Sequence, residues 1–236
     1  MRAIALINSK THVVSASDDA TLRVWDYTTG IPAYLVIHLS HLCCVLGEPL
    51  GVLHGHEGKL RCVTTTQDGR YIISGSEDKS VRVWKASSPY SLRHTLVGHT
   101  SWVEGLAASP ADELIASSAN DGDCTIKLWS LGSGHCLKTL VGHKRIVYAL
   151  AFDSLGEHLV SCSVDKALIV WSTRNGSQLA RFTFDDQLCA CCFTANGTLL
   201  AVGEHSGLLS LLQPIWPTQT TGIRKSSREE RIARWS

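Results

Sequence analysis

An excess of either charge is the first thing this sequence lacks. Its 236 residues carry 22 Lys and Arg against 21 Asp and Glu, a formal net charge of +1. That balance gives no support for a nucleic-acid or polyanion partner. No basic-then-apolar leader opens the chain, because the Met1 region is already a strand-like run. A non-secreted, cytoplasmic protein is therefore expected, with a nuclear location also compatible. No apolar run reaches the ~18–20 residues that span a bilayer. The nearest, Ile31 to Gly47, stops short and contains Pro32, His38 and His41, so no membrane partner is expected. There is no G-x-S-x-G elbow, Walker-type loop or dinucleotide fingerprint. No catalytic residue, cofactor or small-molecule ligand is indicated.

The nine cysteines (43, 44, 62, 124, 136, 162, 189, 191 and 192) are an odd count in irregular places. They read as small buried apolar side chains in a reducing compartment. Neither the Cys189/Cys191/Cys192 group nor His38, His41, Cys43 and Cys44 matches the spacing of a metal site. Asn175 and Asn196 stand in Asn-Gly turns, which explains their sequons without glycosylation.

What is present is a repeat. Gly-His pairs occur at Gly55-His56, Gly98-His99 and Gly142-His143, with histidine spacings of 43 and 44 residues. Each His is followed 22 residues later by an Asp (Asp78, Asp121, Asp165), and four before each Asp stands a Ser (Ser74, Ser117, Ser161). A strand-like run then ends in Trp84, Trp129 or Trp171, and the first segment carries Ser15, Asp19 and Trp25 without a His. Between the markers the pattern alternates with period two, as in "VRVW", "IKLW" and "YIISGS", and turn residues separate the runs. This reads as short antiparallel strands, roughly four per repeat. The period is that of a propeller blade.

The Gly-His, Ser, Asp and Trp set resembles that of the WD-repeat family of β-propellers. The resemblance covers residues 1–213. It implies an all-β fold of about five blades, expected to be part of a larger, seven-blade ring. It implies a buried hydrogen-bond chain in each blade: His56, Ser74, Asp78 and Trp84; His99, Ser117, Asp121 and Trp129; His143, Ser161, Asp165 and Trp171; and Ser15, Asp19 and Trp25. In such a chain the indole donates to the hydroxyl, the hydroxyl to the imidazole and the imidazole to the carboxylate, so each buried polar group has a partner. Ser, His and Asp together also suggest a hydrolase. A trio that recurs in every blade is structural instead.

The third repeat departs by two extra residues, since Trp129 follows Asp121 by eight positions. The His-to-Asp offset favours Asp121, while Asp123 keeps the usual distance to the Trp. Aligned on its turn, the fifth segment puts Thr183-Phe184 in place of Gly-His, His205 in place of the Asp, and Leu212 or Leu211 in the Trp region. This closing blade resembles those of NACHT–WD or apoptosome-type propellers. Blades are expected at about 1–55, 56–98, 99–142, 143–184 and 185–213, followed by a basic, disordered tail over 214–236. Residues 31–47 read as an insertion between the third and fourth strands of the first blade. Two origins stay open, a real surface insertion or a retained intron.

The resemblance implies a partner-binding face at the residues one and three after each His and one before each Asp. These are Glu57, Lys59, Thr100, Trp102, Lys144 and Ile146, then Asp18, Glu77, Asn120 and Val164. Trp102 is the expected anchor. The expected function is a non-catalytic scaffold for other proteins or peptides. The alternative is the sensor or autoinhibitory propeller of a multidomain NACHT-type signalling ATPase whose catalytic module lies outside this chain.

Overall fold

The structure is a computed structural model, and it describes residues 2–7, 12–26, 49–194, 197, 199–215 and 222–225. The expected insertion at 31–47 and most of the expected tail lie outside the described residues. Among the described residues, twenty strands form five four-stranded antiparallel sheets, each a simple meander. The expected all-β class and the count of about five blades agree with this.

The first sheet is β1 (Ala3–Ile7), β2 (His12–Ala16), β3 (Leu22–Asp26) and β4 (Gly51–Leu53). The second is β5 (Leu60–Thr65), β6 (Tyr71–Ser76), β7 (Ser80–Lys85) and β8 (Leu92–Val97). The third is β9 (Val103–Ala108), β10 (Leu114–Ala119), β11 (Ile126–Ser130) and β12 (Cys136–Leu140). The fourth is β13 (Val147–Phe152), β14 (His158–Ser163), β15 (Ala167–Ser172) and β16 (Gln178–Thr183). The fifth is β17 (Leu188–Phe193), β18 (Leu200–Glu204), β19 (Leu209–Ile215) and β20 (Gly222–Lys225).

That last strand corrects the expected boundary at 213. Gly222–Lys225 pairs with β19, Leu212 opposite Lys225 and Ile215 opposite Gly222. A backbone ladder can recruit a strand without hydrophobic alternation, so "GIRK" carries no signal of it.

The innermost strands pack in chain order, β1 on β5, β5 on β9, β9 on β13 and β13 on β17. Among the described residues no comparable packing joins β17 to β1. The hydrophobic core of the described residues is divided into four seams, one between each pair of sheets consecutive in the chain. Val14, Ala16, Leu22 and Val24 of the first sheet meet Leu60, Ile72 and Trp84 of the second. Ile73, Val81 and Val83 of the second meet Val103, Ile115 and Trp129 of the third. Ala116, Ile126 and Leu128 meet Val147, Leu159 and Trp171. Val160, Cys162, Leu168 and Val170 meet Leu188, Leu200 and Leu212. Period-two strands make this possible, because alternate residues of the two middle strands point to opposite neighbours. Each fully buried Leu, Ile or Val contributes about 1.5–3 kcal/mol.

One turn recurs between the second and third strands. In it Ala20, Lys79, Cys124 and Lys166 take positive φ of 54–70°, and Gly207 takes 85°. Each closes a short hairpin turn in which the left-handed residue matches the twist of the flanking strands. The residue just before it is Asp19, Asp78, Asp123, Asp165 or Ser206. This register decides which residue holds the carboxylate position, and it makes two corrections. In the third sheet it is Asp123, not Asp121. In the fifth it is Ser206, not His205, which holds the place of Val164.

Candidate functional site: buried tetrads beneath a loop face

The tetrads assemble at the sheet interfaces. Trp84 Nε1–H donates to Ser74 Oγ at 2.9 Å, Ser74 Oγ lies 2.8 Å from His56 Nε2, and His56 Nδ1 lies 2.7 Å from Asp78. In the third sheet the same distances are 2.7 Å from Trp129 to Ser117, 2.8 Å from Ser117 to His99 and 3.0 Å from His99 to Asp123. In the fourth they are 2.8 Å from Trp171 to Ser161, 2.7 Å from Ser161 to His143 and 3.1 Å from His143 to Asp165. The first sheet has Trp25 donating to Ser15 at 2.9 Å, and Asp19 accepting from Thr21 instead of a His. A carboxylate only accepts, so Nδ1 carries the proton; Nε2 then accepts from the serine hydroxyl.

Each carboxylate also caps the chain entering its sheet. Asp78 accepts from the Glu57 N–H at 3.0 Å, Asp123 from Thr100 at 2.7 Å and Asp165 from Lys144 at 2.9 Å. Burial would push these three acids up, but hydrogen bonds and the neighbouring His outweigh it and all three are lowered, Asp123 to about 2. His99 is lowered, chiefly by burial, with Asp123 opposing. Ser74, Ser117 and Ser161 are fully buried and each receives an indole N–H. A hydroxyl enclosed in that way cannot reach a substrate, so the Ser/His/Asp trio is not a nucleophilic site.

The fifth sheet replaces three members of the set with hydrocarbon side chains and the acid with Ser206. Phe184, Val202 and Leu212 hold the His, Ser and Trp places, all buried in one core with Leu188 and Leu200. Of the two candidates for the Trp position, the pairing of Leu200 with Leu212 selects Leu212, as Leu159 pairs with Trp171.

Asp121 has a different task. Its carboxylate accepts the Ile146 N–H at 3.0 Å and pairs with Arg145 at 3.2 Å, tying the third sheet to the fourth. The two extra residues enter after Asn120, so Asn120 keeps its place. Asn120 N–H donates to the Trp102 carbonyl at 2.8 Å, as Glu77 does to Lys59 at 2.9 Å and Val164 to Ile146 at 3.0 Å. The residue three after each His therefore meets Glu77, Asn120 or Val164 in the second, third and fourth blades. Trp102 is 40 % exposed, and Glu57, Lys59, Thr100 and Lys144 are exposed beside these pairs.

Side chains that were not expected complete this face. The Arg61 guanidinium stacks on Trp102, 4.9 Å from the ring centroid. Its Nε lies 3.0 Å from Glu77 and 3.9 Å from Glu104, ion pairs without hydrogen-bond angles. Asn120 donates to Glu104 at 2.7 Å, and Arg2 to Asp18 at 2.8 Å. Arg61, Glu104, Tyr148 and Cys189 are each second in their innermost strand, a register the repeat already contained. Arg2 pairs with Asp18, and Arg61 with Glu77 and Glu104, across the first three blades; uncharged Tyr148, Val164 and Cys189 follow on the last two, beside the exposed Lys144. Among the described residues no three His, Cys, Asp or Glu side chains gather to hold a metal, and no helix is long and apolar enough to cross a membrane.

A family model for the WD domain, G-beta repeat, matches residues 1–26, 47–85, 90–130 and 134–172. It leaves unmatched a stretch, 27–46, that overlaps the expected insertion. Nuclear distribution protein PAC1-2 of Uncinocarpus reesii is 32% identical over 240 residues, covering 88% of this chain and 48% of its own length. Nuclear distribution protein nudF of Aspergillus niger is 30% identical over 72% of the chain and 38% of its own length. Striatin-4 of Mus musculus is 29% identical over 76% of the chain and 24% of its own. The chain thus spans about half, or less, of the length of the curated relatives it matches.

Proposed function

The chain belongs to the WD domain, G-beta repeat family, and from that premise we propose that it is a non-catalytic scaffold that binds other proteins through the Trp102 face. The observation that carries this reading is Trp102 itself. It is a large aromatic left 40 % exposed, yet fixed on one side by Arg61. A rigid, partly exposed aromatic of this kind loses little freedom on contact and buries much area, which is the profile of a binding hot spot. The face around it carries both signs of charge, which suits a protein surface better than a polyanion. Glu57, Lys59, Thr100, Lys144, Ile146, Asp18, Glu77, Asn120 and Val164 are the proposed contacts, with Arg61 as the residue that positions Trp102. The proposed setting is the reducing cytoplasm, on the composition argument from nine unpatterned cysteines. The matches bring no support to a NACHT-type context, and that reading is set aside.

Affinity capture with Trp102→Ala, Lys144→Glu and the wild-type chain tests the face, with Arg70→Ala, outside this face, as a control. Bound proteins should be lost from the first two at least tenfold, with far-ultraviolet dichroism unchanged. If every captured protein survives both substitutions, the interface lies elsewhere.

A further inference from the structure

Three of the nine cysteines fall on β17, and they point three ways. The irregularity between Leu188 and Ala190 turns Cys189 toward His205, Sγ to Nδ1 4.0 Å. Cys192 is exposed, and Cys191 is half-buried against the core of the seam between the fourth and fifth sheets. That core also holds Cys162 of β14, which is fully buried. Cys162 and Cys191 therefore share one core cluster across the seam, on strands that pack directly. The other pairings fit worse. Cys191 and Cys192 are adjacent and point to opposite faces of the strand. Cys189 and Cys191 are two residues apart, near the ~6.6 Å upper end of what a bridge spans, and the bulge turns Cys189 away.

We propose that Cys162 and Cys191 are an oxidation site, at which a peroxide joins them in a disulfide that ties the fifth sheet to the fourth. The half-buried Cys191 is the first target. Its sulfur takes one peroxide oxygen as the O–O bond breaks, giving a sulfenic acid and one water. The Cys162 sulfur then attacks that sulfur. The S–S bond forms, the S–O bond breaks, and the departing hydroxide leaves with the Cys162 proton as a second water. Two thiols lose two electrons and the peroxide gains them. Burial pushes the Cys162 thiol well up, so the less enclosed Cys191 meets the peroxide first. The tie falls on the one sheet whose tetrad is replaced by Phe184, Val202 and Leu212.

The full chain is treated with hydrogen peroxide, its remaining thiols are alkylated, and it is digested without reduction. The expected result is one cross-linked pair of peptides joining Cys162 to Cys191. It should disappear on reduction and form equally in Cys189→Ser and Cys192→Ser. Cys191→Ala should form no link from Cys162. The wild-type map reads the pairing by itself, so the test stands even if Cys162→Ala misfolds. A bridge from Cys189, a link between molecules as the main product, or Cys191 recovered only as thiol or sulfinic acid overturns the proposal.

Discussion

Asp121 and Asp123 stand two residues apart in one turn, and removing either carboxylate separates a buried role from an exposed one. In Asp123→Ala four donors lose their acceptor: His99 Nδ1, the backbone N–H groups of Thr100 and Thr125, and the Thr125 hydroxyl. The His99 side chain is 1% exposed and that of Asp123 4%, so water cannot replace the lost bond to the imidazole. A stranded buried donor costs about 1–3 kcal/mol and each backbone bond about 0.5–1.5 kcal/mol, which sums to roughly 3–5 kcal/mol. In Asp121→Ala the partners are Arg145, with side chains 57% and 43% exposed, and the Ile146 N–H. An exposed ion pair contributes about 0–1 kcal/mol, so the total is about 1–2 kcal/mol. Urea unfolding followed by tryptophan fluorescence and far-ultraviolet dichroism reads the difference. A gap of about 2–3 kcal/mol moves the midpoint by roughly 1 M. The two signals are compared because repeat arrays can unfold in stages. A midpoint shifted as far by Asp121→Ala as by Asp123→Ala would refute the assignment of the carboxylate position.

The same groups make stability depend on pH in two windows. His99 is lowered in the fold, chiefly by burial, so the unfolded chain takes up its proton first and stability falls as pH drops below about 6.5. Asp78, Asp123 and Asp165 are lowered against the pull of burial; their contribution is full above about pH 4 and is lost as pH falls toward about 2. A urea midpoint that stays flat from pH 7 to pH 3 would contradict both windows. In the fifth sheet, Val202→Ser restores the serine of the other blades but buries a hydroxyl between Phe184 and Leu212. It should cost about 1–3 kcal/mol more than Val202→Ala, which removes similar volume without adding a polar group. Equal losses in a thermal melt would show that the hydroxyl finds a partner there.

The repeat was legible because it is written in residue types that each need the others. A buried Trp N–H, Ser, His and Asp satisfy one another only as a set, so their spacing survives in the sequence of three blades. Where the set is incomplete, counting fails. Asp121 was favoured by its distance from His99, but the acid is held by the left-handed turn residue that follows it, and so keeps its distance to the Trp strand. The misplacement of His205 is different: the 41-residue offset that sets Phe184 against His143 also sets Ser206 against Asp165, and with no acid at that turn a miscount by one leaves no mark. Arg61 and Glu104 lie outside the family's loop pattern, since they stand second in β5 and β9 and not in the loops beside them. β20 left no trace because main-chain pairing asks nothing of side-chain order.

The division of the core into four seams has a mechanical consequence. Among the described residues, none of the second sheet shares a hydrophobic cluster with the fourth, and none of the first with the third. Under tension applied at its ends, such a molecule has no central knot to break. It yields at one seam while the others still bear load. Each release sets free a repeat of 43 or 44 residues, roughly 150 Å of extended chain at about 3.5 Å per residue. The protein would lengthen in steps, and the sheets that remain would keep their part of the loop face in working order.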